Sequence, residues 1–329
     1  MNKIIHFFTI NEAKRDIYDI ATKQLSFNNI ALFPNTKSTI GIFFAKLITM
    51  IFLPLKVNSR DTILIQYPYK KFYNYICRVA KFRGAKTITV IHDLRAFRRK
   101  RLTPKEEIKA LSLSDSLISH NPSMTKWLRD HEFTKPIIDL NIFDYLSDSE
   151  PNINYNGDIV VVANYNLRRS RYILEFNNIL INKNIIAYGA SHDIDFSQFS
   201  NIIYKGKVQR DKLIATISGS WGLVWDGDSI NECTGAWGEY LAINNPHKIS
   251  FYLRCGIPVI LWSKSAMADF IVKNKLGIAI DTLADLEQKI DSIDANEYAE
   301  LCKNAVSIKQ KLNDGYFIKQ ALQKTNLLR

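Results

Sequence analysis

The 329-residue chain has only four cysteines (Cys77, Cys233, Cys255 and Cys302), widely scattered, with no Cys-x-x-Cys pair and no histidine pair nearby. That spacing argues against a structural zinc site and against a disulfide-stapled secreted module; it suits reduced thiols in a cytoplasmic protein. The N-terminus lacks the charged, apolar and small-residue layout of a secretory signal, because Asn11 to Lys23 is polar. No apolar run reaches the roughly 20 uninterrupted residues of a membrane-spanning helix. Short-period repeats and low-complexity tracts are also missing. Although the formal net charge is +12, no nucleic-acid-binding motif accompanies it, so nucleic acid is not expected among the partners.

What is there reads as an ordinary globular protein, with 47% hydrophobic and 23% charged residues. At this length two domains are the better expectation. Much of the basic excess falls in the first half, especially Arg95, Arg98, Arg99, Lys100, Arg101 and Lys105. Such a run suits an anionic membrane or substrate, or is simply a solvated loop. Residues 40–55 are apolar apart from Lys46 and Thr49 and include Phe43, Phe44 and Phe52. They read either as a core helix or as an interfacial helix that enters lipid beside a basic patch.

Strand and helix patterns alternate along the chain. Strands are expected at 4–10, 61–67, 86–91 and 116–119, then at 158–163, 185–188, 202–204, 222–225 and 259–262. Helices are expected at 70–82, 103–113, 121–129, 295–312 and 316–328. A polar stretch at 147–157 reads as a linker. The order predicts an α/β protein with two Rossmann-like domains, residues 1–150 and 151–312, each a parallel doubly wound sheet, followed by a terminal helix at 313–329.

The most informative stretch is Asn244-Asn245-Pro246-His247-Lys248. Asn245 is a good N-cap, Pro246 suits the first helical position, and Ile249, Tyr252 and Leu253 follow at helical spacing until Gly256. A helix N-terminus leaves backbone N–H groups unbonded and carries partial positive charge, so it attracts phosphate. Lys248 and His247 add side-chain donors there. Just upstream, an apolar strand runs into Asp226-Gly227-Asp228, and a polar loop continues through Trp237 and Glu239. Strand, polar loop, helix and strand in that order place cations and carboxylates near the carboxyl ends of parallel strands, where open α/β sheets bind ligands. Asp226, Asp228 and Glu239 suit sugar hydroxyls, and one of them alternatively a general base or the partner of developing positive charge at the anomeric carbon. Two aspartates flanking a glycine also suit Mg²⁺, but Lys248 already supplies a cation and no metal is expected. In the first half, His92-Asp93 ends a strand, so either side chain is placed for general-base work, and His120 ends the next strand.

Several segments together resemble one bacterial glycosyltransferase family. They are Gly222-Leu223-Val224-Trp225-Asp226-Gly227-Asp228-Ser229, Gly238-Glu239-Tyr240-Leu241, Asn244 to Leu253, Ile118-Ser119-His120-Asn121-Pro122-Ser123, Ile142-Phe143-Asp144-Tyr145-Leu146 and Ala266 to Val272. The family comprises β-1,6-galactofuranosyltransferases of O-antigen assembly and glucosyltransferases that extend sugars on streptococcal serine-rich adhesins. The resemblance implies a GT-B fold with an interdomain cleft and a terminal helix that returns to the first domain. It also implies a metal-independent, inverting hexosyl transfer from a UDP-sugar with no cofactor. The donor would be UDP-galactofuranose, or UDP-glucose as in the adhesin enzymes. The acceptor would be a glycan, and the apolar run at 40–55 beside the basic excess suits one that is lipid-linked at the cytoplasmic leaflet of an anionic membrane.

In this family a Gly-Asn-Leu loop carries a basic residue that contacts the nucleotide diphosphate. Here the loop contains Asn166, with Tyr165 in place of the glycine, and the basic residue is either Arg169 or Arg171. Tyr204 matches a position near the uracil. The Glu-x7-Glu motif of many GT-B enzymes is missing around Ala266 to Phe270, which leaves the ribose ligand unassigned. Asp93 is the preferred base, with His92 as the alternative and His120 as an acceptor ligand. A non-catalytic nucleotide-sugar-binding subunit is the competing reading, and a homo-oligomer is compatible with either.

Overall fold

The structure, a computed structural model, describes residues 1–98, 102–152, 154–180 and 182–328. Arg99, Lys100 and Arg101 of the basic run lie outside the described residues. Two six-stranded sheets organise the chain. The first contains β1 (Asn2–Ile4), β2 (Asn28–Asn29), β3 (Thr62–Tyr67), β4 (Lys86–Ile91), β5 (Ser116–Ser119) and β6 (Ile137–Asp139), in the order β2-β1-β3-β4-β5-β6. The second contains β7 (Ile159–Val162), β8 (Ile185–Tyr188), β9 (Ile202–Gly206), β10 (Trp221–Val224), β11 (Val259–Trp262) and β12 (Gly277–Ile280), in the order β12-β11-β10-β7-β8-β9. Every pairing in both sheets is parallel. Strands of a parallel sheet are covered on both faces, which is why β3, β10 and β11 are buried throughout and read as apolar runs.

Among the helices are α1 (Glu12–Gln24), α2 (Thr39–Lys56), α3 (Tyr73–Phe82), α4 (Pro104–Leu111), α5 (Pro122–Asp130), α6 (His247–Arg254), α7 (Ala295–Asn313) and α8 (Tyr316–Lys324). Local chemistry explains their starts. Thr103 and Glu106 form a reciprocal capping box on α4, and Asn121 caps α5 through the Met124 N–H. At α6 the expected start moves by one residue: Pro246 occupies the cap with extended backbone, and Asn245 is buried just before it.

The chain forms two compact units, residues 1–144 with 315–329, and residues 145–314. Helix α8 belongs to the first: the Asp144 carboxylate accepts from the Phe317 and Ile318 N–H groups at 3.0 and 2.7 Å, and Ile318, Ala321 and Leu322 are buried. The change of unit falls between Asp144 and Tyr145, ahead of the polar stretch that composition marks as a linker. That stretch is bonded into the second unit. Tyr145 N–H donates to Leu312 O at 3.1 Å, and the fully buried Arg254 donates to the Ser147 and Ser149 carbonyls at 2.9 Å.

Two further expectations change. The strand placed at 4–10 is confined to β1, because beyond Ile4 the chain leaves the ladder; Phe8 N–H bonds Pro34 O in a loop. Residues 40–55 are not a core helix. Helix α2 buries only Ala45, Thr49, Met50 and Leu53, while Phe43 and Phe44 are 54% and 53% exposed. At 18 residues the helix is longer than the apolar run suggests and, by length and composition alone, is long and apolar enough to cross a membrane.

Candidate active site

In the second sheet the strand order reverses between β7 and β10. Loops leaving neighbouring strands at such a switch point diverge and open a crevice, the usual ligand site of a doubly wound sheet. The loop after β7 carries Arg169 and the turn after β10 carries Asp226. They are 57 residues apart in sequence, yet the Arg169 guanidinium grips the Asp226 carboxylate through Nε–Oδ1 and Nη2–Oδ2, both at 3.0 Å. Gly227 N–H donates to Arg169 O at 2.7 Å and so ties the two loops together. Gly227 has φ +131°, and a Cβ there would stand 2.8 Å from the Thr234 backbone, so the turn requires glycine.

Helix α6 completes the cluster. Gly222 in β10 lets the Tyr252 ring lie against the sheet; a Cβ would fall 2.3 Å from that ring. The Tyr252 hydroxyl accepts from Val162 N–H at 2.8 Å and donates to Leu223 O at 3.3 Å, which pins α6 across both central strands. Lys248 lies one helical turn before Tyr252 and so shares its face. Its Nζ donates to Asp226 Oδ1 at 2.9 Å and to Trp225 O at 3.1 Å. The Arg169 guanidinium also sits 4.7 Å over the Trp237 ring.

One carboxylate therefore serves two cations, and the cluster keeps a net charge of about +1. Side-chain exposure is 4% for Asp226, 8% for Lys248 and 24% for Arg169, so solvent reaches the cluster mainly along the arginine. Burial pushes the Asp226 carboxyl up, but Lys248 and Arg169 together pull it below the usual carboxylate range. Burial pulls the Lys248 ammonium down; Asp226 only partly restores it, and Arg169 repels it. Such a site gains by accepting an anion, since a second negative group would complete the pairing of both cations.

Other expected residues take different places. Arg171 is exposed, so the structure puts Arg169 rather than Arg171 in the cluster. Asn166 shapes the loop, its backbone oxygen accepting from Arg169 N–H and Ser170 N–H. The Asn245 side chain is buried before α6, and the His247 ring stacks on Tyr145 at 4.8 Å. Asp226 is a buried counter-ion, not a carboxylate open to sugar hydroxyls. Asp228 is exposed and accepts from Thr234 Oγ1, and Glu239 is exposed. Tyr204 packs one face on Phe196 at 4.4 Å, and its hydroxyl donates to Gly189 O at 2.8 Å. Among the described residues no group of three His, Cys, Asp or Glu side chains could hold a metal. Trp237 is a member of the cluster that spacing does not single out; an aromatic in a polar loop is its only trace in the sequence.

In the first unit, Asp93 is half-buried beyond the end of β4. His92 is 8% exposed; its Nε2 lies 2.9 Å from Gln66 Oε1, and its ring stacks on Phe143 at 5.5 Å. His120 is only 1% exposed, its Nε2 is 3.0 Å from Ile91 O, and burial lowers its pKa to about 3. A neutral, enclosed imidazole that bonds a strand end is a structural strap, which removes His120 as an acceptor ligand.

Family models for the glucosyltransferase 3-like N-terminal and C-terminal domains match residues 3–142 and 159–325. The chain belongs to the glucosyltransferase 3-like family. It is 30% identical over 325 residues to the β-1,6-galactofuranosyltransferase WbbI of Escherichia coli (strain K12), covering 95% of this chain and 92% of that one. It is also 32% identical over 124 residues to glucosyltransferase 3 of Streptococcus gordonii, covering 37% of this chain and 36% of that one. A solved structure of Anabaena Alr3699/HepE in complex with UDP and glucose matches 98% of both chains, with a TM-score of 0.60 at 11% identity. The structure of S. aureus MnaA with UDP matches 99% of this chain and 98% of that one, with a TM-score of 0.53 at 10% identity. This member of the glucosyltransferase 3-like family is a glycosyltransferase with the GT-B fold.

Proposed function

We propose that the chain transfers galactofuranose from UDP-galactofuranose to a glycan acceptor in cell-surface polysaccharide synthesis. The observation that carries this reading is the Lys248–Asp226–Arg169 cluster, a preorganised cationic site at the switch point of the second sheet, in a chain similar to WbbI over nearly its whole length. Lys248 and Arg169 hold the diphosphate, backbone at the start of α6 supports it, and Tyr204 contributes the open face of its ring to the base. Asp228 and Glu239 face the sugar.

In the reaction an acceptor hydroxyl attacks the anomeric carbon as the bond from that carbon to the UDP oxygen breaks. UDP departs with the electron pair, and the new negative charge on its β-phosphate is met by the two cations already in place. Attack opposite the leaving group inverts the anomeric centre, and Asp93 takes the hydroxyl proton. No metal or cofactor enters this scheme. The enzyme works at the cytoplasmic face of the membrane, where the exposed side of α2 meets anionic lipid.

UDP-glucose is the competing donor, favoured by the likeness to the streptococcal glucosyltransferases. Calorimetry of UDP, UDP-glucose, UDP-galactopyranose and UDP-galactofuranose with EDTA present, on native protein and Lys248→Ala, tests the reading. Binding that survives EDTA and is lost in the variant supports it, and the preferred sugar names the donor. No binding of any of the four to native protein refutes it. UDP-sugar binding with no turnover across an acceptor panel would indicate a non-catalytic subunit.

A further inference from the structure

The first sheet has its own switch point, between β1 and β3, and a cavity of about 550 Å³ opens there. The chain leaving β1 at Ile5–Thr9 and the chain leaving β3 at Gln66–Tyr69 form two of its sides, and Thr39, Ile42, Phe43 and Lys46 of α2 form a third. Lys14, Lys46 and Lys71 all line it, and among the described residues no carboxylate does. Lys14 Nζ is held at 3.3 Å from the Gln66 and Pro68 carbonyls, and Lys46 Nζ lies 5.6 and 5.9 Å from the Phe7 and Tyr69 ring centres. Tyr69 lines the cavity, and its hydroxyl is buried without a hydrogen-bond partner among the described residues. His6 on the same wall is pulled down to about 4 by burial and by Lys14, against Asp19, and Lys46 lowers it further.

The wall formed by α2 continues outward as an apolar surface on which Ile40, Phe44, Ile51 and Leu55 are 72%, 53%, 63% and 78% exposed. From residue 20 to residue 92 the sequence has eleven lysines and arginines and a single acid, Asp61. That acid is 2% exposed and is bound by Lys3 Nζ at 2.6 Å. A cavity lined by three lysines and entered beside an apolar helix matches a ligand with a phosphorylated head and a hydrocarbon tail.

We infer that this cavity binds the phosphate or diphosphate group of the acceptor, with α2 seated in the lipid from which the acceptor rises. The inference rests on the transferase reading above and adds the acceptor's chemical class and the residues that meet it. The test uses the full chain and two variants. Lys46→Gln/Lys71→Gln removes two of the ammonium groups. Thr39→Glu adds a carboxylate at the first turn of α2, where an acid favours the helix.

UDP binding is measured first, on all three proteins. Equal affinities show that the donor site is intact, and circular dichroism and melting temperatures equal to native show that the first unit, which carries the changes, still folds. With UDP saturating, binding to phosphatidylcholine vesicles with and without a few percent of polyprenyl diphosphate is then compared. Native protein should bind the doped vesicles roughly 30-fold more tightly, the effect of two lysines near the surface, and both variants should lose that gain. If the doped vesicles give no gain but inorganic pyrophosphate binds native protein and neither variant, the phosphate site stands and its ligand is a soluble ester. The inference is overturned if neither probe separates native protein from the variants. If native protein binds no UDP, the donor reading is overturned, and the vesicle comparison, run without UDP, still reports on this cavity.

Discussion

Asp226→Asn tests the charge logic of the donor site most directly, because that carboxylate is the shared partner of two cations. The change keeps the side-chain volume and removes the negative charge, so Lys248 and Arg169 face each other across a site that is 4–24% exposed. Removing one partner from a buried ionic cluster costs about 3–5 kcal/mol. For a unit the size of residues 145–314, each kcal/mol moves Tm by roughly 2–4 °C, so the ligand-free variant should melt roughly 6–20 °C below native protein. UDP brings in the missing negative charge. Its saturating addition should therefore raise the variant's Tm by more than it raises that of native protein, where 100 times Kd contributes about 2.7 kcal/mol. The pH dependence has a definite sign. Lys248 in native protein already holds its proton less tightly than a free lysine, and the variant depresses it further. A folded pKa below the unfolded one makes stability rise with pH between the two, so the variant's deficit should narrow as pH climbs toward about 10. Differential scanning fluorimetry with and without UDP at several pH values reads all three effects. A ligand-free Tm within about 2 °C of native, or a UDP shift smaller than the native one, would refute the shared-counter-ion argument.

Asp93→Asn should lower kcat by about 10²–10⁴ and leave UDP affinity unchanged in calorimetry; a near-normal rate removes Asp93 from the mechanism. Changing Phe43, Phe44 and Phe52 together to serine should abolish flotation with anionic liposomes, and failure of native protein to float would end the membrane assignment. Burial raises the Asp144 carboxyl to about 7, against the Ile318 and Phe317 N–H groups that pull it down. The folded state thus holds this proton more tightly than the unfolded chain, and stability falls as pH rises from about 4 to about 7. Asp144→Asn keeps an acceptor for the α8 N–H groups, so the drop in Tm between about pH 5 and about pH 8 should shrink relative to native protein.

Much of the fold was legible because its signals are local. Strands β4, β5, β8 and β11 are short β-branched and aliphatic runs bounded by polar residues, and they stand at the expected residues. Thr103, Asn121 and Gly256 mark helix ends through backbone chemistry that acts within four residues. Strands β2 and β6 escaped notice because two or three residues are too few for a periodicity, and β12, which opens on Gly277, is made a strand by its pairing with β11. The polar stretch at 147–157 misled for a related reason: composition reports polarity, not whether the polar groups face water or, like the Ser147 and Ser149 carbonyls, a buried arginine.

By itself the sequence determined the alternation of strand and helix, the presence of two doubly wound halves, the family, and Lys248 as the first residue to suspect. Tertiary structure alone decided which cation joins it, because Arg169 and Arg171 differ by two residues in sequence but only Arg169 reaches Asp226. It also decided that Asp226 is a counter-ion rather than a sugar ligand, that His120 is a strap, and that one face of α2 is left uncovered. Each of those outcomes depends on burial and on contacts between residues tens of positions apart. Electrostatic pairing follows distance in space, and in a doubly wound sheet the strand order, not the order along the chain, sets that distance.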